Sequence, residues 1–171
     1  DYQEECVKKV LEAYEKGITR SVIVLPTGCG KTQVIVETIE RRLHLGRALI
    51  LAHRDELIGQ AVEKVRNSNR YANVGIIKGE RKDISHQIIV ASVQTLCKQK
   101  NLDLLRKNFK TIVVDEAHHA TASTYRKILN ELGCFSEDPN RPLLLGVTAT
   151  PKRGDGIGLN TVFQEVVYKK G

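Results

Sequence analysis

The chain has no methionine and no tryptophan, and aromatic residues fill only 5% of its 171 positions. Few flat side chains are therefore on offer for exposed bases, which argues against a single-strand binder built on an aromatic platform. The four cysteines, Cys6, Cys29, Cys97 and Cys134, are scattered with no C-x-x-C pair. Such spacing argues against a zinc ribbon or a disulfide framework and for a reducing, intracellular compartment, with bacterial cytoplasm, nucleus and mitochondrion all open. No apolar run approaches the ~20 residues of a membrane-crossing helix, so no membrane partner is expected. The opening DYQEECVKKV is neither an apolar signal nor an Arg/Ser-rich transit peptide. With no initiator methionine in front of it, the chain reads as a segment of a longer polypeptide.

What remains describes one globular domain. Hydrophobic residues make up 41% and charged residues 27% of the chain, ordinary values for a protein with a real core. Lys and Arg number 27 against 20 Asp and Glu, a net charge of +7. That surplus favours a polyanionic partner, though many basic enzymes have none.

Apolar spacing then alternates between two periods. Cys6, Val7, Val10, Leu11 and Tyr14 predict a helix over 5–14. SVIVLP at 21–26 predicts a buried strand, followed by a Gly-rich turn and a helix carrying Val34, Ile35, Ile39 and Leu43. ALILAH at 48–53 is a second strand, leading into a helix with Leu57, Ile58, Ala61, Val62 and Val65 on one face. Strands follow at 74–77 and 87–93, a helix at 102–107, the strand TIVVDEA, the helix TYRKILNEL and a last buried strand at 142–149. Residues 152–159 read as a Gly-rich loop. Alternating strands and helices predict βαβ units: a mostly parallel sheet with helices on both faces, a three-layer α/β/α domain. Ligands in such sheets lie beyond the carboxyl ends of the strands, and the chemically distinctive residues of this chain fall there.

The first cluster is Pro26-Thr27-Gly28-Cys29-Gly30-Lys31-Thr32, between a strand and a helix. Glycines let backbone N–H groups close around phosphate oxygens, and the helix N-terminus adds positive potential. Lys31 can reach β- and γ-phosphates, and the Thr32 hydroxyl can ligate Mg²⁺. Leu25 stands where the strict G-x-x-x-x-G-K-[ST] pattern has its first glycine. The second cluster ends a buried strand with Asp115 and Glu116. An aspartate there can hold Mg²⁺ through water, and Glu116 is placed to polarise an attacking water. His118 and His119 lack a third ligand at suitable spacing, so zinc is not expected.

PTGCGKT and DEAH, in this order, resemble motifs I and II of the superfamily 2 helicases. Tyr2-Gln3 resembles the glutamine motif that reads the adenine edge, LILAHRDELIGQA resembles motif Ia, and IVASVQTL the nucleic-acid-contacting motif after it. Thr148-Ala149-Thr150 resembles motif III, which couples nucleotide state to nucleic-acid grip. The tail TATPKRGDGIGLNTVFQEVVY resembles the type III restriction-subunit-like branch, which includes the yeast mitochondrial branch-migrating helicase and the xeroderma-type helicases. The resemblance covers essentially the whole chain. It implies a RecA-like P-loop domain over 1–171, the first motor domain of a DEAH-box helicase or translocase. It further implies ATP and Mg²⁺ as cofactors, held by Gln3, Thr27, Gly28, Cys29, Gly30, Lys31, Thr32 and Asp115, with Glu116 as the base. His118, Thr148 and Thr150 would couple the two activities. A second motor domain of the same polypeptide would close the ATP cleft and supply an arginine finger.

The residues make their own case for a nucleic-acid face. His53 and Arg54 sit just past a strand end, before a helix start, where a cationic fork and N–H groups suit phosphate oxygens. Ser92, Gln94 and Thr95 offer short donors at another strand end. Phosphate tracking without base stacking fits a sequence-independent motor. The expectation is an ATP-hydrolysing motor on DNA, duplex or branched. The alternatives are an RNA-remodelling helicase of the same superfamily or the motor subunit of a restriction-type complex.

Overall fold

A computed structural model describes residues 1–26, 28, 30–53, 58–68, 73–149 and 158–170. The first helix, α1 (Tyr2–Glu15), begins earlier than its apolar stripe suggests. The reason is a cap: the Asp1 carboxylate accepts the Glu4 N–H at 2.9 Å, satisfying a donor that has no partner inside the helix.

Eight strands follow in one sheet: β1 (Arg20–Val24), β2 (Arg47–Ala52), β3 (Val74–Lys78), β4 (Arg81–Lys82), β5 (Ile88–Ser92), β6 (Phe109–Asp115), β7 (Leu143–Thr148) and β8 (Glu165–Lys169). Their spatial order is β4-β3-β5-β2-β6-β7-β1-β8. Every neighbouring pair is parallel except the β3–β4 hairpin. Two strands had no counterpart in the sequence reading. β4 has only two residues, and β8 is an edge strand with no fully buried position and only three consecutive apolar residues.

Side chains of successive strand residues point to opposite faces, and the two faces carry separate cores. Ile23, Ile50, Val113 and Leu145 pack under α1, α2 (Lys31–Arg42) and α3 (Ile58–Ser68). Val24, Leu51, Ile112, Val114 and Leu144 pack on the other face, under α4 (Val93–Leu96), α5 (Gln99–Leu104) and α6 (Ser123–Glu131). The molecule is thus the expected three-layer α/β/α sandwich. The short α4 was missed: its first residue, Val93, was read as the last of the preceding strand, and Gln94 and Thr95 as donors at that strand's end.

Register aligns the carboxyl ends of the central strands. Val24 of β1 lies opposite Thr148 of β7, and Asp115 of β6 lies opposite Val147. The phosphate-loop segment, the acidic pair and Thr148 therefore leave the sheet at one level, on three adjacent strands.

Candidate active site

Leu25, in place of the first loop glycine, is fully buried, and its N–H donates to the Thr148 carbonyl at 3.0 Å. A leucine suits the position because the chain is still inside the core there. Gly28 and Gly30 have φ of +85° and +76°. Both lie in the left-handed region that residues with a Cβ avoid. A Cβ on Gly30 would also fall 1.7 Å from Gln3 Nε2, so the glutamine of α1 lies directly against the loop. Gly30 then caps α2, whose first residues are Lys31 and Thr32. Thr27 and Cys29, also expected in the loop, lie outside the described residues.

Lys31 spans the gap to β6. Its ammonium donates to Glu116 Oε1 at 2.8 Å and stands 3.1 Å from Asp115 Oδ1. Burial works against the Lys31 charge, but the bond to Glu116 and the charge of Asp115 outweigh it, so its pKa is raised. The reciprocal holds at Glu116. Burial pushes its carboxyl up, the Lys31 bond and charge push it down further, and the net direction is down. A cation and two carboxylates thus share one cleft with Thr32, a pocket of about 200 Å³ that continues between α2, β2 and α3.

The chain turns at Glu116, with φ 57° and ψ 59°, the only non-glycine positive φ among the described residues. A side chain in this region is strained, and such outliers persist where the surroundings fix them. Here the Glu116 N–H donates to Asp115 Oδ1 at 2.9 Å, and the carboxylate is held by Lys31. After it comes a 3-10 turn, Ala117–Thr121. The sequence reading ran the strand on through Glu116 and Ala117, whereas the strand stops at Asp115 and presents Glu116 into the cleft.

His118 links the acidic pair to β7. Its Nδ1 is 3.8 Å from Glu116 Oε2 and 3.5 Å from the Oγ1 of the buried Thr148. Thr148 therefore touches the loop strand through its carbonyl and the acidic turn through its hydroxyl. Thr150 lies outside the described residues.

On the expected nucleic-acid side the picture changes. His53, half-buried at the end of β2, lines the same cleft as Lys31 and Glu116 and stacks face to face on His119, ring centroids 3.9 Å apart. Arg54 lies outside the described residues. Ser92 and Thr95 are buried rather than presented to solvent. The Thr95 hydroxyl accepts the Gly79 N–H at 2.9 Å, and Ser92 ends a strand that is buried throughout. The expectation that these two hydroxyls face a nucleic acid is corrected: α4 turns them inward, and only Gln94 of the three is exposed. No helix among the described residues is long and apolar enough to cross a membrane.

Residues 1–153 match the family model described as type III restriction enzyme, res subunit. The chain belongs to this family. Two relatives bear it out across nearly the whole sequence. The irc3 protein of Schizosaccharomyces pombe, named as a mitochondrial ATP-dependent helicase, is 35% identical over 174 residues, covering 99% of this chain and 28% of its own length. The DNA 3'-5' translocase XPB2 of Sulfurisphaera tokodaii is 34% identical over 158 residues, covering 91% of this chain and 31% of its own. Among solved structures, the Hef helicase domain of Pyrococcus furiosus superposes with a TM-score of 0.77 at 28% identity, over 98% of this chain and 37% of that one. The chain spans well under half the length of the relatives it matches.

For this res-subunit family member, sequence reasoning missed two residues beside the cleft. His119 was weighed only as a metal ligand, and Tyr125 only as one residue of the helix TYRKILNEL. A doubled histidine after the acidic pair was the one available signal, and it could not reveal that the second ring turns back onto His53.

Proposed function

We propose that this chain is the nucleotide-hydrolysing motor domain of an ATPase driven by DNA. The observation that carries the reading is the convergence of Lys31, Thr32, Asp115 and Glu116, from two separate strand ends, in one cleft. The names of the relatives support it: an ATP-dependent helicase and a DNA translocase are over 30% identical along nearly all of the chain.

The donor set fits Mg-ATP. Lys31 and the N–H groups at the start of α2 suit phosphate oxygens, Thr32 and Asp115 supply hard oxygen ligands for Mg²⁺, and Gln3 beside Gly30 suits the adenine edge. Magnesium, when bound, would offset the charge that develops on the phosphate oxygens. Phosphate competes with Glu116 for the Lys31 ammonium, and a carboxylate released from that bond is free to accept a proton from water. His118 and Thr148 report this change from the acidic turn to β7. His53, Arg54 and Gln94 remain the candidates for contacting nucleic acid, at the carboxyl ends of β2 and β5. A second motor domain of the same polypeptide closes the cleft and supplies an arginine.

The test is the ATP turnover of the full-length protein with duplex DNA, branched DNA and RNA. Stimulation by DNA above RNA is expected. Preferential stimulation by RNA would favour the remodelling alternative, which one relative's name supports: an RNA helicase of Acanthamoeba polyphaga mimivirus, 28% identical over 156 residues.

A further inference from the structure

Three rings from three elements lie nearly parallel beside the cleft. His53, at the end of β2, stacks on His119 with centroids 3.9 Å apart and planes 6° apart. On Tyr125 of α6 it stacks at 6.3 Å and 14°. Tyr125 is fully buried, so one end of this arrangement is anchored in the core. The other end reaches the catalytic turn twice. The His119 backbone N–H donates to the Glu116 carbonyl at 3.0 Å, and the centroid of the His119 ring lies 4.2 Å from that of His118.

The same place holds an unusual concentration of unsatisfied polarity. His53 Nδ1, Ser92 Oγ and Tyr125 Oη are buried with no hydrogen-bond partner among the described residues. Ser92 is registered opposite Ala52, the residue before His53, so two of these atoms come from neighbouring strand ends. Buried polar atoms are nearly always paired, and each exception calls for an explanation. A switch requires an element with two competing arrangements, which displacement of the His53 ring from the stack would supply.

We infer that the His53–His119–Tyr125 stack is a positioning relay, carrying the state of the chain at the end of β2 to the backbone turn that aims Glu116. The inference rests on the motor reading above and adds to it a specific mechanical link. His119 acts through Glu116 and touches no reacting atom.

The test is a DNA titration of ATP turnover by the full-length protein carrying His119→Ala, His119→Leu or His119→Phe, with ATP and DNA affinities measured alongside. His119→Ala and His119→Leu should keep both affinities and the unstimulated rate while losing about tenfold of the stimulation, within the usual range of coupling between sites. His119→Phe, which keeps a flat ring without nitrogens, should recover most of it. In a cycle with His53→Ala, the two losses should be strongly non-additive. Should the alanine variant not fold, the leucine variant, which fills the space without a flat face, decides. Full stimulation in His119→Leu, or equal loss in the leucine and phenylalanine variants, would overturn the relay. No stimulation of the natural protein by DNA or RNA would instead overturn the motor reading beneath it.

Discussion

At the scale of single residues the decisive pair is Lys31 with Glu116. Because each holds the other charged, their roles separate on mutation. Glu116→Gln should bind ATP about as well as the natural protein while turnover is lost, and Lys31→Ala should lose affinity itself; equilibrium binding beside steady-state turnover reads both. Equal loss of affinity in the two would contradict the division. The pH signature follows from the same pair. The Glu116 pKa is lowered, so its contribution to stability is complete above the ordinary glutamate value of about 4.3 and fades as pH falls through the lowered one. The Lys31 pKa is raised, so its share is complete below the ordinary lysine value of about 10.4 and fades as pH rises through the raised one. Unfolding curves of natural protein and Glu116→Gln should therefore differ by a constant amount near neutrality and converge in acid. A gap that persists unchanged below the carboxylate range would show that the ion pair is not its source. For Arg54, a phosphate contact predicts that Arg54→Ala weakens DNA binding alike across sequences and lowers the salt slope by about one. An altered sequence preference at unchanged slope would count against it.

Among the elements, buried strands were legible because a short run of four or five consecutive apolar residues suits little else, as at 48–52 in β2 and 88–91 in β5. What burial does not mark was not legible. β8 is an edge strand with no fully buried position, and the turn at Glu116 follows a strand with no glycine or proline to announce it. Ser92 and Thr95 misled because residue type shows a donor and not the direction it faces. Arg47, at the start of β2, was also unmarked. It donates to the carbonyls of Ile84, His86 and Arg106 and to Asn108 Oδ1, with its guanidinium 4.5 Å from the Phe109 ring centroid. It ties the amino ends of β2, β5 and β6 together, opposite the cleft. Arg47→Ala should cost about 2–4 kcal/mol, from lost charge-assisted bonds and carbonyls left without donors, read by denaturant unfolding. A change below ~0.5 kcal/mol would show the network to be ornamental to stability.

For the whole molecule, the parallel sheet brings the phosphate-loop segment, Asp115 and Thr148 out at one end, and the relatives named above are about three times longer than this chain. The chemistry legible in the sequence belongs to one wall of a cleft. Here lie a cation suited to phosphate, oxygens suited to magnesium and a carboxylate suited to water, while on the proposed reading an arginine would come from a second motor domain. Such a finger is worth about 10³–10⁵ in rate in related nucleotide hydrolases. The direct measurement is steady-state ATP hydrolysis, with and without duplex DNA, by residues 1–171 alone beside the full-length protein. The account predicts that the full-length protein is strongly stimulated, while residues 1–171 bind nucleotide, turn over at a trace of that rate and respond little to DNA. Comparable DNA-stimulated turnover in both would contradict it.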